Sequence, residues 1–326
     1  MKLMLDIDIK PPAKRITYSD NIFLIGSCFT DHIGRRLQDL KFGVLQNPNG
    51  ILFDPVSVSK SLSSYTDNKK YEQADLFYLH ELWQSWHHHS VFSGMVAEEV
   101  IDNINLSQAK AYSHLKKSNW LIITLGSSFS YRLIENQQPV ANCHRAPSQW
   151  FSKHLLSSEE TILSLENSIE KLKIFNPALK IIFTISPVRH IRDGVVENNR
   201  SKARLIEAIH YLAERYNHIY YFPAYELVID VLRDYRFYDI DLVHPNYAAT
   251  EFVFDRFEQG FIDEQAKIFM EEIKKINNSY KHKPFHAKTE AHKRFLQNTL
   301  KNVKSLQEKL PQLNFSEEIN YFSKES

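Results

Sequence analysis

A serine near the front of the chain and an aspartate–histidine unit near its far end are the residues whose types fit covalent catalysis. In Asn21-Ile22-Phe23-Leu24-Ile25-Gly26-Ser27-Cys28-Phe29-Thr30 an apolar run stops abruptly at glycine, serine and cysteine. Asp241 and His244 form an Asp-x-x-His unit. That spacing lets the carboxylate fold back onto one imidazole nitrogen, orienting the ring and leaving the other nitrogen to take a proton from a hydroxyl. The chemistry implied is nucleophilic attack by Ser27, with His244 as base and Asp241 orienting it. Nucleophile first and acid–histidine last is a permitted chain order. The plainer reading has Ser27 or Thr30 capping a helix, Asp241 capping a turn and His244 facing solvent.

Other reactive side chains carry less. Cys28 adjoins Ser27 at a predicted helix N-terminus, where thiol pKa tends to fall. A cysteine in such a turn is more often a small buried hydrophobe, so serine is preferred. The His87-His88-His89 run invites a metal, but His80-Glu81-Leu82-Trp83-Gln84 lacks the second histidine of a zinc-binding helix. Neither metal nor cofactor is expected. His89, beside Ser90, is read as lining the cleft, with His87 and His88 at the surface. Arg189, Arg192 and Arg200 are read as solvated charge, and no glycine-rich phosphate loop is present.

These residues need a scaffold. Ile22–Ile25 reads as a buried strand, and Ile33, Leu37 and Leu40 recur at helical spacing before Gly43. Ser27 then lies at the carboxyl end of a strand and beside a helix N-terminus, where ligands bind in open α/β sheets and negative charge is favoured. Its own N–H would help hold an oxyanion. Leu5–Ile9 alternates like an edge strand, closed by Pro11-Pro12. Further strands are predicted at Phe42–Leu45, Trp120–Leu125, Leu179–Ile185 and His218–Phe222. Helices are predicted at Val56–Leu62, Ala97–Lys117, from Ser157 to Asn176, Ser201–Tyr216, Tyr225–Tyr235 and Tyr247–Phe257. Alternation of strands and helices predicts a parallel, doubly wound sheet. From Ile262 the sequence turns to Lys-, Glu- and Gln-rich helices, which divides the chain into an α/β domain over 1–261 and a helical extension over 262–326. The residues after Phe315 are expected to be loosely held.

Composition narrows the class. Over 326 residues, 43% are hydrophobic and 24% charged, as in ordinary globular proteins. A formal net charge of +1 gives no footprint for nucleic acid or anionic membrane. No apolar stretch reaches bilayer-spanning length, and two cysteines, Cys28 and Cys143, exclude a disulfide framework. With Asp6 and Asp8 near the start and no signal-like apolar segment, a cytoplasmic protein is expected. Oligomeric state is not fixed by these features.

Gly26-Ser27-Cys28-Phe29-Thr30 resembles the pentapeptide that names the GSCFA family, with Thr30 in place of alanine. Asn47-Pro48-Asn49-Gly50, Asn142-Cys143-His144, Ser186-Pro187-Val188-Arg189-His190 and Arg233–Tyr238 leading into Asp241–Pro245 also look like that family, over roughly Ile7 to Glu258. The family in turn resembles, more loosely, the SGNH (GDSL-type) hydrolases. The resemblance implies a flavodoxin-like three-layer α/β/α sandwich with a parallel sheet, followed here by the helical extension. It implies ester hydrolysis by Ser27, with Asp241 and His244 matching the Asp-x-x-His block and Gly50 matching an oxyanion-hole donor. The hydrolases' asparagine after the third strand turn is missing: Gly126-Ser127-Ser128-Phe129 stands there, so Ser128, or Asn142 from the neighbouring loop, is the expected replacement. His144 and His190 sit in family-like motifs and either touch substrate or hydrogen-bond within the core. The expected substrate is a small acyl ester, by analogy an acetyl ester on a carbohydrate. The same residues would serve an acyltransferase, and the altered oxyanion block would suit a binding protein on a degenerate scaffold.

Overall fold

The computed structural model describes residues 4–282, 284–286 and 288–324. In chain order, strand β1 (Asn21–Gly26) leads into α1 (Cys28–Asp39), β2 (Gly43–Gln46) and α2 (Pro55–Thr66). A hairpin of β3 (Phe77–Leu79) and β4 (Leu82–Gln84) precedes α3 (Ala97–Lys117) and β5 (Trp120–Leu125). Then come β6 (Phe129–Leu133), β7 (Pro139–Val140) and β8 (Phe151–Leu155), followed by α4 (Ser158–Phe175), β9 (Lys180–Ile185), α5 (Val195–Arg215) and β10 (Ile219–Phe222). The short α6 (Ala224–Glu226) continues as one π-helical stretch, Leu227–Leu232, and α7 (Tyr247–Phe261), α8 (Glu264–Lys281), α9 (Glu290–Lys309) and α10 (Ser316–Lys324) complete the chain.

The central sheet has the order β10-β9-β5-β1-β2, with every pairing parallel. Ile22, Phe23, Leu24 and Ile25 are all fully buried, because a central parallel strand is covered on both faces. Their side chains alternate accordingly. Ile22 and Leu24 join a core with α1, α7 and the C-terminal helices. Phe23 and Ile25 join a second core with α2 to α5. The protein is therefore α/β, with helices on both sides of a five-stranded parallel sheet. Successive connections leave β1 in opposite directions, toward β2 and toward β5, so the switch point lies between β1 and β5.

Three expectations need correction, and one unassigned stretch gains structure. Leu5–Ile9 forms no strand; Ile7 and Ile9 pack against the helical face, and the alternation reflects one-sided burial without a ladder. Helix α5 begins at Val195, well before Ser201. Phe129–Leu133 and Phe151–Leu155, unassigned from sequence, pair as an antiparallel flap beside β5. The segment after Phe315 is not loose: Phe315 and Phe322 are fully buried, and α10 packs on α9. Helices α8 to α10 share the core that holds α1 and α7. At their junction with α7, Ile16 N–H donates to the Phe261 carbonyl (2.8 Å) and Asp263 N–H to the Ile16 carbonyl (2.9 Å). Among the described residues no helix is long and apolar enough to cross a membrane.

Candidate active site

The turn after β1 is shaped by its neighbours. Gly26 has φ +147°, and a Cβ there would lie 2.2 Å from the Thr124 carbonyl oxygen; only glycine lets β1 and β5 approach so closely. Asn47, with φ 43°, accepts the Gly26 N–H (2.9 Å) and donates to Asp31 (2.8 Å), pinning the loop after β2 to the turn. Ser27 occupies the N-cap position of α1, yet its side chain makes no capping bond. Its Oγ is sealed from solvent and has no hydrogen-bond partner. Thr30 Oγ1, in the same turn of α1, is likewise buried without a partner among the described residues. Cys28, the first residue of α1, keeps some exposure.

Across the switch point, Gly126 is the meeting place. A Cβ on it would touch Phe53 Cβ (2.9 Å), His190 Nε2 (3.1 Å) and Ser27 Cβ (3.4 Å). The His190 ring packs on Phe53 at 5.4 Å, and burial pushes its pKa down to about 4, so it is neutral near pH 7. Beneath these groups Lys202 reaches in from α5. Its Nζ donates to the Gly126 and Ser186 carbonyls, both at 2.6 Å. Burial lowers its pKa to about 7.

The loop between β10 and α7 carries the acid–histidine unit. Asp241 Oδ2 accepts from His244 Nδ1 at 2.7 Å, while Oδ1 accepts the N–H groups of His244 (3.0 Å) and Val243 (2.9 Å). The His244 N–H, then its ring, then the Val243 N–H hold the carboxyl down at about 2. Nδ1 therefore carries the proton and Nε2 is left as an acceptor. Both side chains are about half exposed. Arg189 N–H donates to the Val243 carbonyl (3.2 Å), and the Arg189 guanidinium lies 4.4 Å from the Tyr238 ring centre. That attachment hangs the loop on the residue before His190. Ser27, Gly126, His190 and the Asp241–His244 loop thus follow one another around the carboxyl edge of the sheet. Ser27 Oγ makes no hydrogen bond to His244.

The sequence matches the GSCFA family over residues 21–257 and the GSCFA domain protein, C-terminal domain, over residues 273–325. The chain belongs to the GSCFA family. None of the curated proteins matches it. Among solved structures it is similar to an acetyl xylan esterase from the rumen bacterium Butyrivibrio proteoclasticus, at 12% identity and a TM-score of 0.37. That match covers 75% of this chain and 64% of the esterase chain.

In this GSCFA chain most of the expected oxyanion donors are engaged elsewhere. The Ser27 N–H donates to the Thr124 carbonyl (3.0 Å) and the Gly50 N–H to the Asn47 carbonyl (2.7 Å). Gly50 is glycine because a Cβ would lie 2.2 Å from His89 Cβ. Ser128 is fully buried and its hydroxyl donates to the Ser201 carbonyl of α5, away from the turn. Asn142 accepts the His144 N–H through Oδ1 (2.9 Å), and its Nδ2 donates to no acceptor among the described residues.

The remaining histidines also sort themselves. His144 is buried, donates from Nε2 to the Ser85 carbonyl (2.8 Å) and packs edge-on to Phe77, which places it in the aromatic core. His88 is buried, not a surface group, and His87 is half-buried; burial pushes both pKa values down to about 3. His89 packs on Gly50 and accepts the Val91 N–H at Nδ1 (3.3 Å). A cavity of about 790 Å³ lined by Tyr18, Asp20, Lys41, Phe42 and Leu313 opens at the opposite, amino-terminal edge of β1 and β2. Two residues that organise the site were not singled out as site residues from the sequence. Lys202 stands on the apolar stripe of α5 with Leu205, Ile209 and Leu212, and a cation on such a stripe was the available signal. Asn47 was visible as the first residue of the family-like Asn47-Pro48-Asn49-Gly50 run, without a role of its own.

Proposed function

We propose that this protein is an acyl-ester hydrolase whose nucleophile comes from the Gly26-Ser27-Cys28 turn and whose base is His244, oriented by Asp241. The observation that carries the reading is the Asp241–His244 unit: a 2.7 Å contact fixes Nδ1–H on the carboxylate and leaves Nε2 as proton acceptor. Its loop is bonded beside His190, whose ring shares Gly126 with Ser27. The turn stands at the carboxyl edge of β1 against β5, the ligand position of a doubly wound sheet.

The mechanism follows from these groups. The nucleophile attacks the ester carbonyl while His244 Nε2 takes its proton and then returns it to the departing alcohol. Asp241 holds the ring and stabilises the imidazolium. His190, neutral through burial, adds no competing positive charge and presents a polar ring edge beside the turn. Water resolves the acyl-enzyme. Small acyl groups, with acetyl esters of carbohydrates as the first class to test, suit a turn so closely packed by Phe53 and His190.

A second reading is a non-catalytic binding protein. It is favoured by the engaged N–H groups of Ser27 and Gly50. Steady-state hydrolysis of p-nitrophenyl acetate by the wild type, His244→Ala and Asp241→Asn separates the two. The hydrolase reading expects turnover that falls by roughly 10²-fold or more in His244→Ala. Equal rates in all three proteins overturn it.

A further inference from the structure

An ester hydrolase needs a donor for the oxygen that becomes negative at the turn, and three of the expected groups are spent. The Ser27 and Gly50 N–H groups donate to Thr124 and Asn47, and the Ser128 hydroxyl to Ser201. His190 stands where a donor is wanted. From the point that a Gly126 Cβ would occupy, His190 Nε2 is 3.1 Å away and Ser27 Cβ 3.4 Å. The two atoms are thus no farther apart than the sum of those distances, about 6.5 Å. In a tetrahedral adduct on Ser27 the oxyanion lies three bonds from that Cβ, and an effective donor sits about 2.7–3.1 Å from the oxyanion. The span accommodates both. Gly126 does not have a positive φ, so its backbone conformation does not call for glycine. What glycine supplies there is room between Phe53, His190 and Ser27. The imidazole is held but uncommitted. Its backbone N–H donates to Asn198 Oδ1 (2.9 Å), its ring packs on Phe53 at 5.4 Å, and the Phe53 carbonyl accepts the Gly126 N–H (2.8 Å). Neither ring nitrogen makes a hydrogen bond among the described residues.

We propose that His190 is a catalytic residue of this site, its Nε2–H donating to the oxyanion that forms on the ester when Ser27 attacks. The assignment rests on the hydrolase reading above. Ser27 Oγ bonds to the carbonyl carbon as its proton passes to His244 Nε2, and the π pair moves onto the carbonyl oxygen. His190 shares its Nε2 proton with that oxygen and keeps it. When the pair returns to carbon, the ester C–O bond breaks and the alcohol leaves with the proton from His244. Water then attacks the acyl-enzyme, giving a proton to His244, and His190 serves the second oxyanion in the same way. The acid departs as the bond to Oγ breaks, and Oγ recovers the proton. Burial lowers the imidazole pKa to about 4. Near pH 7 the ring is therefore a neutral donor and a poor base, which leaves proton transfer to His244.

The test is steady-state hydrolysis of p-nitrophenyl acetate by the purified full chain and two variants of opposite character. His190→Phe keeps a ring against Phe53 and loses the donor; His190→Gln loses the ring and keeps an N–H donor. Unfolding midpoints are measured alongside. The expected result is a fall of about 10²–10³-fold in kcat/KM for His190→Phe, carried by kcat with KM nearly unchanged. His190→Gln should exceed His190→Phe by about tenfold or more, even where its midpoint is the lower of the two. A packing role gives the reverse order. Wild-type kcat in His190→Phe, or a His190→Gln rate no higher than that of His190→Phe, overturns the assignment; the hydrolase reading still stands if His244→Ala is impaired. No turnover by the wild type, or equal rates in wild type and His244→Ala, overturns both.

Discussion

Replacing Lys202 with methionine tests the electrostatics beneath the turn. Burial lowers the Lys202 pKa from 10.5 to about 7. A lysine with a depressed folded pKa is protonated in the unfolded chain over a range where the folded chain has released the proton. Stability therefore rises with pH across that window. From roughly pH 6 to pH 9 the contribution grows by at most about 2.6 kcal/mol; the two carbonyl acceptors favour the charged form and make this an upper limit. Lys202→Met loses the pH dependence. It also strands the Gly126 and Ser186 carbonyls, at about 1–3 kcal/mol each, but that cost is the same at every pH. Urea unfolding followed by tryptophan fluorescence at both pH values reads the difference directly. The wild type should gain more stability than the variant on raising the pH, by on the order of 1–2.6 kcal/mol. Equal gains would refute the argument, because they would mean that the Lys202 ammonium is solvated.

The other predictions concern parts of the fold that hold the site. Gly26→Ala places a Cβ 2.2 Å from the Thr124 carbonyl at φ +147°, so thermal or urea denaturation should show a loss of about 2–5 kcal/mol. Phe322→Ala empties a fully buried position and should cost about 3–5 kcal/mol in the same assay; a neutral outcome would restore a loosely held C-terminus. His190, His87 and His88 have folded pKa values depressed to between about 3 and 4. Below an unfolded value near 6.5 the unfolded chain takes up protons first, so stability should fall as pH drops from about 6.5 toward 4, measurable as a declining urea midpoint.

Much of the scaffold was legible because it is written in local patterns. Ala97–Lys117 and Trp120–Leu125 match α3 and β5 end to end, since an amphipathic 21-residue stripe and a six-residue apolar run admit few other readings. The strand–glycine–helix passage at Gly26 and the three-residue spacing of Asp241 and His244 are equally local. What escaped depends on tertiary partners. The N–H groups of Ser27 and Gly50 are spent on Thr124 and Asn47, which no spacing reveals. Ser128 turns toward Ser201 because α5 starts early and brings that residue over β5. Lys202 looks like a surface cation until the stripe of α5 is laid against the sheet. Leu5–Ile9 shows the converse error: period-two burial arises wherever an extended chain lies on a helical layer, with or without a neighbouring strand.

The central claim is that the turn after β1 and the Asp241–His244 loop form one active site. Its most direct test is a crystal structure of the protein trapped by a slowly turned-over acyl donor. The account predicts an adduct on a side chain of the Gly26-Ser27-Cys28 turn, with His244 Nε2 within about 3.2 Å of the bonded heteroatom. An adduct elsewhere on the chain, or one on the turn with His244 remote from it, would contradict the account.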